Sequence, residues 1–196
     1  MAFPMYTQGE FKSTVASMNI GDYIAAEYMN TGYNAIGEIT VLGDVSSDLT
    51  DYSPENYMDG VIYYMKLDKG LLMPCCQMGN TLSYYNLAFE GLIHGKVITL
   101  NDQNFLWRLP TSREFNLMCS TLGGVLDYDH RVEQFGSGNE WVSDINNSAQ
   151  GGYCNVANYS TNNINAPSFA ATNSTSNAFR FVLSYVDNPN STDLYH

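Results

Sequence analysis

The groups in this 196-residue chain best suited to thiol, acid–base or metal chemistry are its four cysteines and three histidines. Cys75 and Cys76 are adjacent, which is poor geometry for a disulfide between them. Cys119 falls on an expected helix and Cys154 in a polar stretch. We expect buried or idle thiols of a protein made in a reducing cytosol. His94, His130 and His196 are far apart in sequence, and none stands at HxxxH or CxxC-type spacing. Asp127-Tyr128-Asp129-His130, with Glu133 and Glu140, has the oxygen ligands to surround a calcium ion, or forms a solvated acidic loop. No GxSxG, phosphate-loop or dinucleotide fingerprint is present. The expectation is a chain with no catalytic residues, no resident metal and no cofactor.

The other unusual chemistry is an absence of charge. Residues 145–179 contain no Asp, Glu, Lys, Arg or His, where the chain's own 14% would put about five. Asn, Ser, Thr, Gly and Tyr supply 21 of these 35 residues, and nine of the chain's 21 Asn lie here. Tyr offers large contact area at small entropic cost, and Asn, Ser and Gly offer adaptable hydrogen bonds, the mixture that antibody loops enrich. Loops of this kind on a rigid scaffold tolerate substitution. Tyr153, Asn155, Asn158, Tyr159, Asn162, Asn163, Asn165 and Asn173 are therefore the candidate ligand-binding residues. The competing reading is that Asn-rich turns merely build an irregular half of the fold. Asn146, Asn158, Asn173 and Asn190 begin N-x-Ser/Thr sequons, read here as by-products of composition.

Something must position that tract. Three segments read as helices. The first follows Thr7-Gln8-Gly9-Glu10, with Phe11, Val15 and Met18 on one face. The second spans about 81–92, with Leu82, Tyr85, Phe89 and Leu92 as its stripe. The third spans about 111–121, where Thr111-Ser112-Arg113-Glu114 is a capping box and Phe115, Met118, Cys119 and Leu122 follow at helical spacing. Strands are expected over 23–28, 36–42, 61–67, 71–73, 96–100, 105–109 and 179–186, with Asp68-Lys69-Gly70 as a tight hairpin turn and 44–59 as a surface loop. Trp107, Leu109, Phe115, Trp141, Phe179 and Phe181 are the expected core. The pattern implies one α+β domain over 1–196, with 1–60 as a possible assembly region and 61–196 as the core that carries the polar loop. A net charge of −12 argues against nucleic acid and anionic membrane as partners. No run reaches the roughly 18 apolar residues of a membrane span, and Met1–Tyr6 lacks the pattern of a secretory signal.

Four pieces, in order, resemble the C-type-lectin fold as used by formylglycine-generating-enzyme-like domains. Trp107-Arg108-Leu109-Pro110-Thr111 before a helix is similar to "(W/Y)RLPT". Asn139-Glu140-Trp141-Val142 is similar to "GNVWEW", Gly151-Gly152 to "RGGSW", and Asn177-Ala178-Phe179-Arg180 to "GFR". Ile20-Gly21-Asp22-Tyr23-Ile24 and Asn80-Thr81-Leu82 to Ala88 extend the resemblance to phage tail-associated proteins of this fold, including the variable proteins of diversity-generating retroelements. Two departures stand out. The enzymes use a late cysteine pair, whereas this chain has only Cys154 in the matching region, and Ala178 replaces the glycine before Phe-Arg.

The resemblance implies a C-type-lectin-like α+β domain, with two helices packed on a small twisted antiparallel sheet and long irregular loops. It also implies a receptor-binding protein such as a tail adhesin or retroelement-diversified protein, whose adenine-directed mutagenesis would explain the Asn bias. The partner would be a host-cell surface protein or glycan, and the location a virion tail or bacterial surface, after synthesis in the cytoplasm without a signal peptide. A homo-oligomer, most simply a trimer, would give such a surface avidity. The alternatives are an oxidoreductase of the formylglycine-generating type, disfavoured by the missing thiol, and a structural virion component. Gly151, Gly152 and Arg180 are expected to be scaffold, with Arg180 tying carbonyls or a carboxylate together.

Overall fold

The computed structural model describes residues 9–30, 36–52, 59–78, 81–123, 139–145, 153–158, 168–171 and 176–186. They form a mixed α+β structure dominated by antiparallel sheet. Seven strands make the main sheet: β1 (Tyr23–Met29), β2 (Glu38–Leu42), β3 (Gly60–Asp68), β4 (Leu71–Pro74), β6 (Lys96–Leu100), β7 (Gln103–Arg108) and β12 (Val182–Tyr185), in the order β2-β1-β3-β4-β12-β7-β6. A three-stranded sheet, β10-β9-β8, comprises β8 (Asn139–Ile145), β9 (Tyr153–Asn158) and β10 (Ser168–Ala171). The short strands β5 (Leu82–Ser83) and β11 (Ser176–Asn177) pair with each other. Two helices are described, α1 (Tyr84–Phe89) and α2 (Ser112–Gly123).

Strand alternation decides how the main sheet is covered. On β1 and β3, Ile24, Ala26, Tyr28, Ile62 and Tyr64 face one cluster, and Tyr23, Ala25, Val61, Tyr63 and Met65 face another. The first cluster draws residues from all seven strands, down to Leu42 on β2 and Leu100 on β6, so it fills the inside of a curl. The second is closed by Phe115 and Met118 of α2 and by Val142 of β8. Burial on both faces explains why β1 and β3 read as continuous apolar runs rather than as alternation.

The curl is nearly a ring. Every neighbouring pair in the seven-stranded sheet is antiparallel. With an odd number of strands, the two edges β2 and β6 must therefore run in the same direction. At one end the Asn101 side-chain amide donates to the Leu42 carbonyl and tacks the edges together. At the other end, by Glu38 and Lys96, they are unpaired and part of a groove lies between them.

Local signals worked where their hydrogen bonds are short in sequence. Gly70, at φ +76°, makes the turn between β3 and β4 as the Asp68-Lys69-Gly70 chemistry predicts. The Thr111 capping box forms both ways: the Glu114 amide donates to Thr111 Oγ1 at 3.1 Å, and the Thr111 amide to Glu114 Oε2 at 2.7 Å. All six expected core residues are buried, none more than 3% exposed.

Several expectations are corrected. The expected first helix is only a 3-10 turn, Val15–Ser17. Glu10 and Lys12 exchange backbone bonds with Tyr23 (3.1 and 2.9 Å), which commits that stretch to extended backbone. The second helix is shorter and turned. Leu82 and Ser83 are taken by β11, Ser83 caps the helix, and Tyr84 and Leu87 are the buried residues rather than Tyr85 and Phe89. The last strand starts at Val182, three residues after Phe179. In the 44–59 segment Tyr52 is buried and its amide bonds the Val61 carbonyl at 2.9 Å, so that part is more than a surface loop. Residues 53–58 lie outside the described residues.

Arg108 grips Glu114 with two bonds, 2.8 and 2.7 Å, and reaches Ser184 Oγ at 2.9 Å, joining β7, α2 and β12. Burial alone pushes the Glu114 carboxyl up, but the bonds from Arg108 and Thr111 outweigh it and hold the group below its usual range. The Asp22 carboxylate is held low by the amides of Glu10 and Asn19. A carboxylate more acidic folded than unfolded stabilises fully above its unfolded value, and loses that contribution as pH falls through the folded value. Urea unfolding should therefore show stability dropping as pH falls below about 4. Glu114→Gln should cost about 2 kcal/mol at neutral pH and clearly less in acid, with a flatter acid limb.

Candidate functional site

The candidate tract is held at both ends by one buried network. Its N-terminal end is β8. The Glu140 carboxylate, 1% exposed, receives Arg180 Nε on Oε2 and Nη2 on Oε1, both at 2.6 Å. Gln77 Nε2 donates to Oε1 at 2.9 Å. Arg180, 0% exposed, spends Nη1 on the Pro74 carbonyl at 3.0 Å, and its guanidinium lies 5.7 Å from the centre of the Phe115 ring. The expectation that Arg180 ties a carbonyl and a carboxylate is met by Pro74 and Glu140.

Backbone bonds run alongside that ion pair. The Trp141 amide donates to the Ala178 carbonyl at 2.9 Å, and the Ala178 amide to the Asn139 carbonyl at 3.1 Å. The Met78 amide donates to the Phe179 carbonyl at 2.9 Å. Trp141 is fully buried, stacks edgewise on Tyr84 at 5.4 Å and donates its indole N–H to the Leu82 carbonyl at 2.6 Å. Farther along β8, the Ser143 amide donates to the Pro110 carbonyl at 2.8 Å, and the Asp144 carboxylate accepts the Ser112 amide at the start of α2. An acid at that end also suits the helix dipole. Trp107-Arg108-Leu109-Pro110-Thr111 thus sits at the junction where β7, α2 and β8 meet.

Between these anchors β9 pairs with both β8 and β10. Its register sets Trp141 opposite Val156 and Asn155 opposite Phe169, and a bulge on β8 lies between Trp141 and Ile145. Of the candidate ligand-binding residues, Tyr153, Asn155 and Asn158 lie on β9. Cys154, expected in a polar stretch, is also on β9, opposite Ala170. Tyr159, Asn162, Asn163, Asn165 and Asn173, and the scaffold candidates Gly151 and Gly152, lie outside the described residues.

The calcium hypothesis loses one ligand. Both Glu140 oxygens are already bonded inside the protein, so Glu140 faces Arg180 and Gln77 rather than a cation. Asp127, Asp129, His130 and Glu133 lie outside the described residues. Among the described residues, no three of His, Cys, Asp or Glu converge on a common point. The adjacent thiols are poor nucleophiles: burial pushes Cys75 up to about 12 and Cys76 up to about 11, with the Arg180 charge pulling the other way. No helix among the described residues is long and apolar enough to cross a membrane.

The partnership of Arg180 with Glu140 escaped sequence reading, which placed the glutamate either around a calcium ion or in a solvated acidic loop. The signal was present in outline. They are the two charged residues that bracket Trp141 and Phe179 at the edges of a segment that is nearly free of charge.

Comparison with family models, with curated proteins and with solved structures found no match to the chain.

Breaking a buried pair leaves an uncompensated charge, which costs about 3–5 kcal/mol. Arg180→Met and Glu140→Gln should each lower the melting temperature strongly. Urea unfolding of Arg180→Met/Glu140→Gln should recover part of that loss, because neither partner then remains charged alone. Additive losses would show that the two residues act separately.

Proposed function

We propose that the chain is a non-catalytic ligand-binding protein of C-type-lectin-like fold that recognises a host-surface protein or glycan through its uncharged Asn/Tyr/Ser-rich tract. The observation that carries this reading is the contrast between the tract and its anchors. Residues 145–179 hold no charge, while the flanking Glu140 and Arg180 form a fully buried ion pair. A surface built on such anchors can change its side chains without touching the bonds that hold it. That is the demand placed on a receptor-binding protein that must follow a changing receptor.

The resemblance to phage tail proteins and retroelement variable proteins supports the same reading, and a tail or cell-surface location follows from it. The protonated Cys75 and Cys76 and the isolated position of Cys154 in the sequence give no support to thiol-based oxidation.

The test uses labelled protein titrated onto a panel of bacterial cells, with thermal melting of each variant alongside. Tyr153→Ala and Tyr159→Ala should leave stability within about 0.5 kcal/mol and weaken cell binding by about 1–2 kcal/mol, roughly tenfold. Variants that unfold, with binding intact in the soluble remainder, would make the tract scaffold.

A further inference from the structure

We infer that the open seam of the seven-stranded sheet, with α1 beside it, is a contact surface for a second copy of this chain. This inference stands apart from the proposed binding function. The seam is where β2 and β6 fail to pair. A groove of about 490 Å³ lies there, with Glu38 at one edge, Lys96 at the other, and Leu82, Leu92 and Trp107 among its lining. Tyr85 and Phe89 of α1 also line it and stand 65% and 81% exposed. A buried aromatic side chain covers roughly 150–250 Å², so these two leave on the order of 300 Å² of mostly apolar surface in water. That matches the largest patch of a typical monomer and is over a third of the roughly 800 Å² each partner gives to a standard interface.

Self-complementarity selects the occupant. A two-fold contact needs a surface that fits itself. This one carries a projection, Phe89, beside a recess. It also carries both signs of charge: the carboxylates Glu38 and Glu90, and Lys96, none of them in an ion pair among the described residues. A copy rotated about a two-fold axis brings its Lys96 to those carboxylates and its Phe89 to the groove. The chain as a whole carries −12, so most of its surface repels a copy, and the seam supplies a lysine where carboxylates need one. The trimer expected from sequence would need two different patches meeting head to tail. The seam points instead to a symmetric pair.

Sedimentation velocity from about 1 to about 100 µM, the range in which a modest interface dissociates, tests this. The wild-type chain should shift from monomer to dimer. Phe89→Glu should remain monomeric at the top of that range and melt like the wild type, because the side chain is exposed. Lys96→Glu should weaken the dimer at least about tenfold. Adding Glu38→Lys and Glu90→Lys to Lys96→Glu should restore it, because the alternation of signs returns. A monomer at about 100 µM, a trimer, or a dimer indifferent to Phe89→Glu or to Lys96→Glu would overturn the inference.

Discussion

A guanidinium sealed from water must find its counter-charge where it sits, and Arg180 finds it in Glu140. The cost of burying both charges is offset only when the geometry is good and the remaining donors and acceptors are filled. Here the pairing is two-pronged, Gln77 takes a second lone pair, and the Pro74 carbonyl takes another donor. That requirement fixes three distant pieces of chain in one place: the end of β4, the start of β8 and the approach to β12. The backbone bonds of Trp141, Ala178 and Met78 then follow from the same alignment. Aromatic packing closes the space around them, with Phe179 and Phe181 5.1 Å apart and Trp107 4.8 Å from Phe181.

The lack of charge between residues 145 and 179 gains a second physical meaning from this pair. A carboxylate in the tract would compete for Arg180, and a lysine or arginine there would compete for Glu140. With neither present, no charge inside the tract draws either anchor away from the other. Register across the β8 connection is therefore specified by charge, while the tract supplies only neutral hydrogen bonding and apolar contacts. Charges remain on the other junctions, where Arg108 meets Glu114 and Asp144 meets the Ser112 amide, and each of those again joins β7 or β8 to the helix.

The fold was most legible where the determining contact lies within a few residues. The Thr111–Glu114 capping box and the Asp68-Lys69-Gly70 turn close rings of three or four residues, and both form as read. The aromatic core was legible from side-chain type alone. What escaped was decided at long range. Phe11, Val15 and Met18 have helical spacing, but the Tyr23 backbone claims Glu10 and Lys12 first. Leu82, Tyr85 and Phe89 have helical spacing too, but pairing with Ser176 and Asn177 pulls Leu82 into a strand and resets the helix on Tyr84 and Leu87. The near-closure of the sheet depends on Asn101 meeting Leu42, 59 positions away. At the candidate site the polar tract was visible as composition and Arg180 as scaffold, while the identity of its partner was not.

Amide hydrogen exchange tests most directly whether this pair holds the ends of the tract as part of the core. The amides to follow are those of Met78, Trp141 and Ala178, which cross between the three segments that Arg180 joins. If the account holds, they exchange only through global unfolding, as slowly as the amides in the middle of β1 and β3. Exchange of these three amides orders of magnitude faster than those of Ile24 and Tyr64 would contradict it, because the anchors would then open without the rest of the fold.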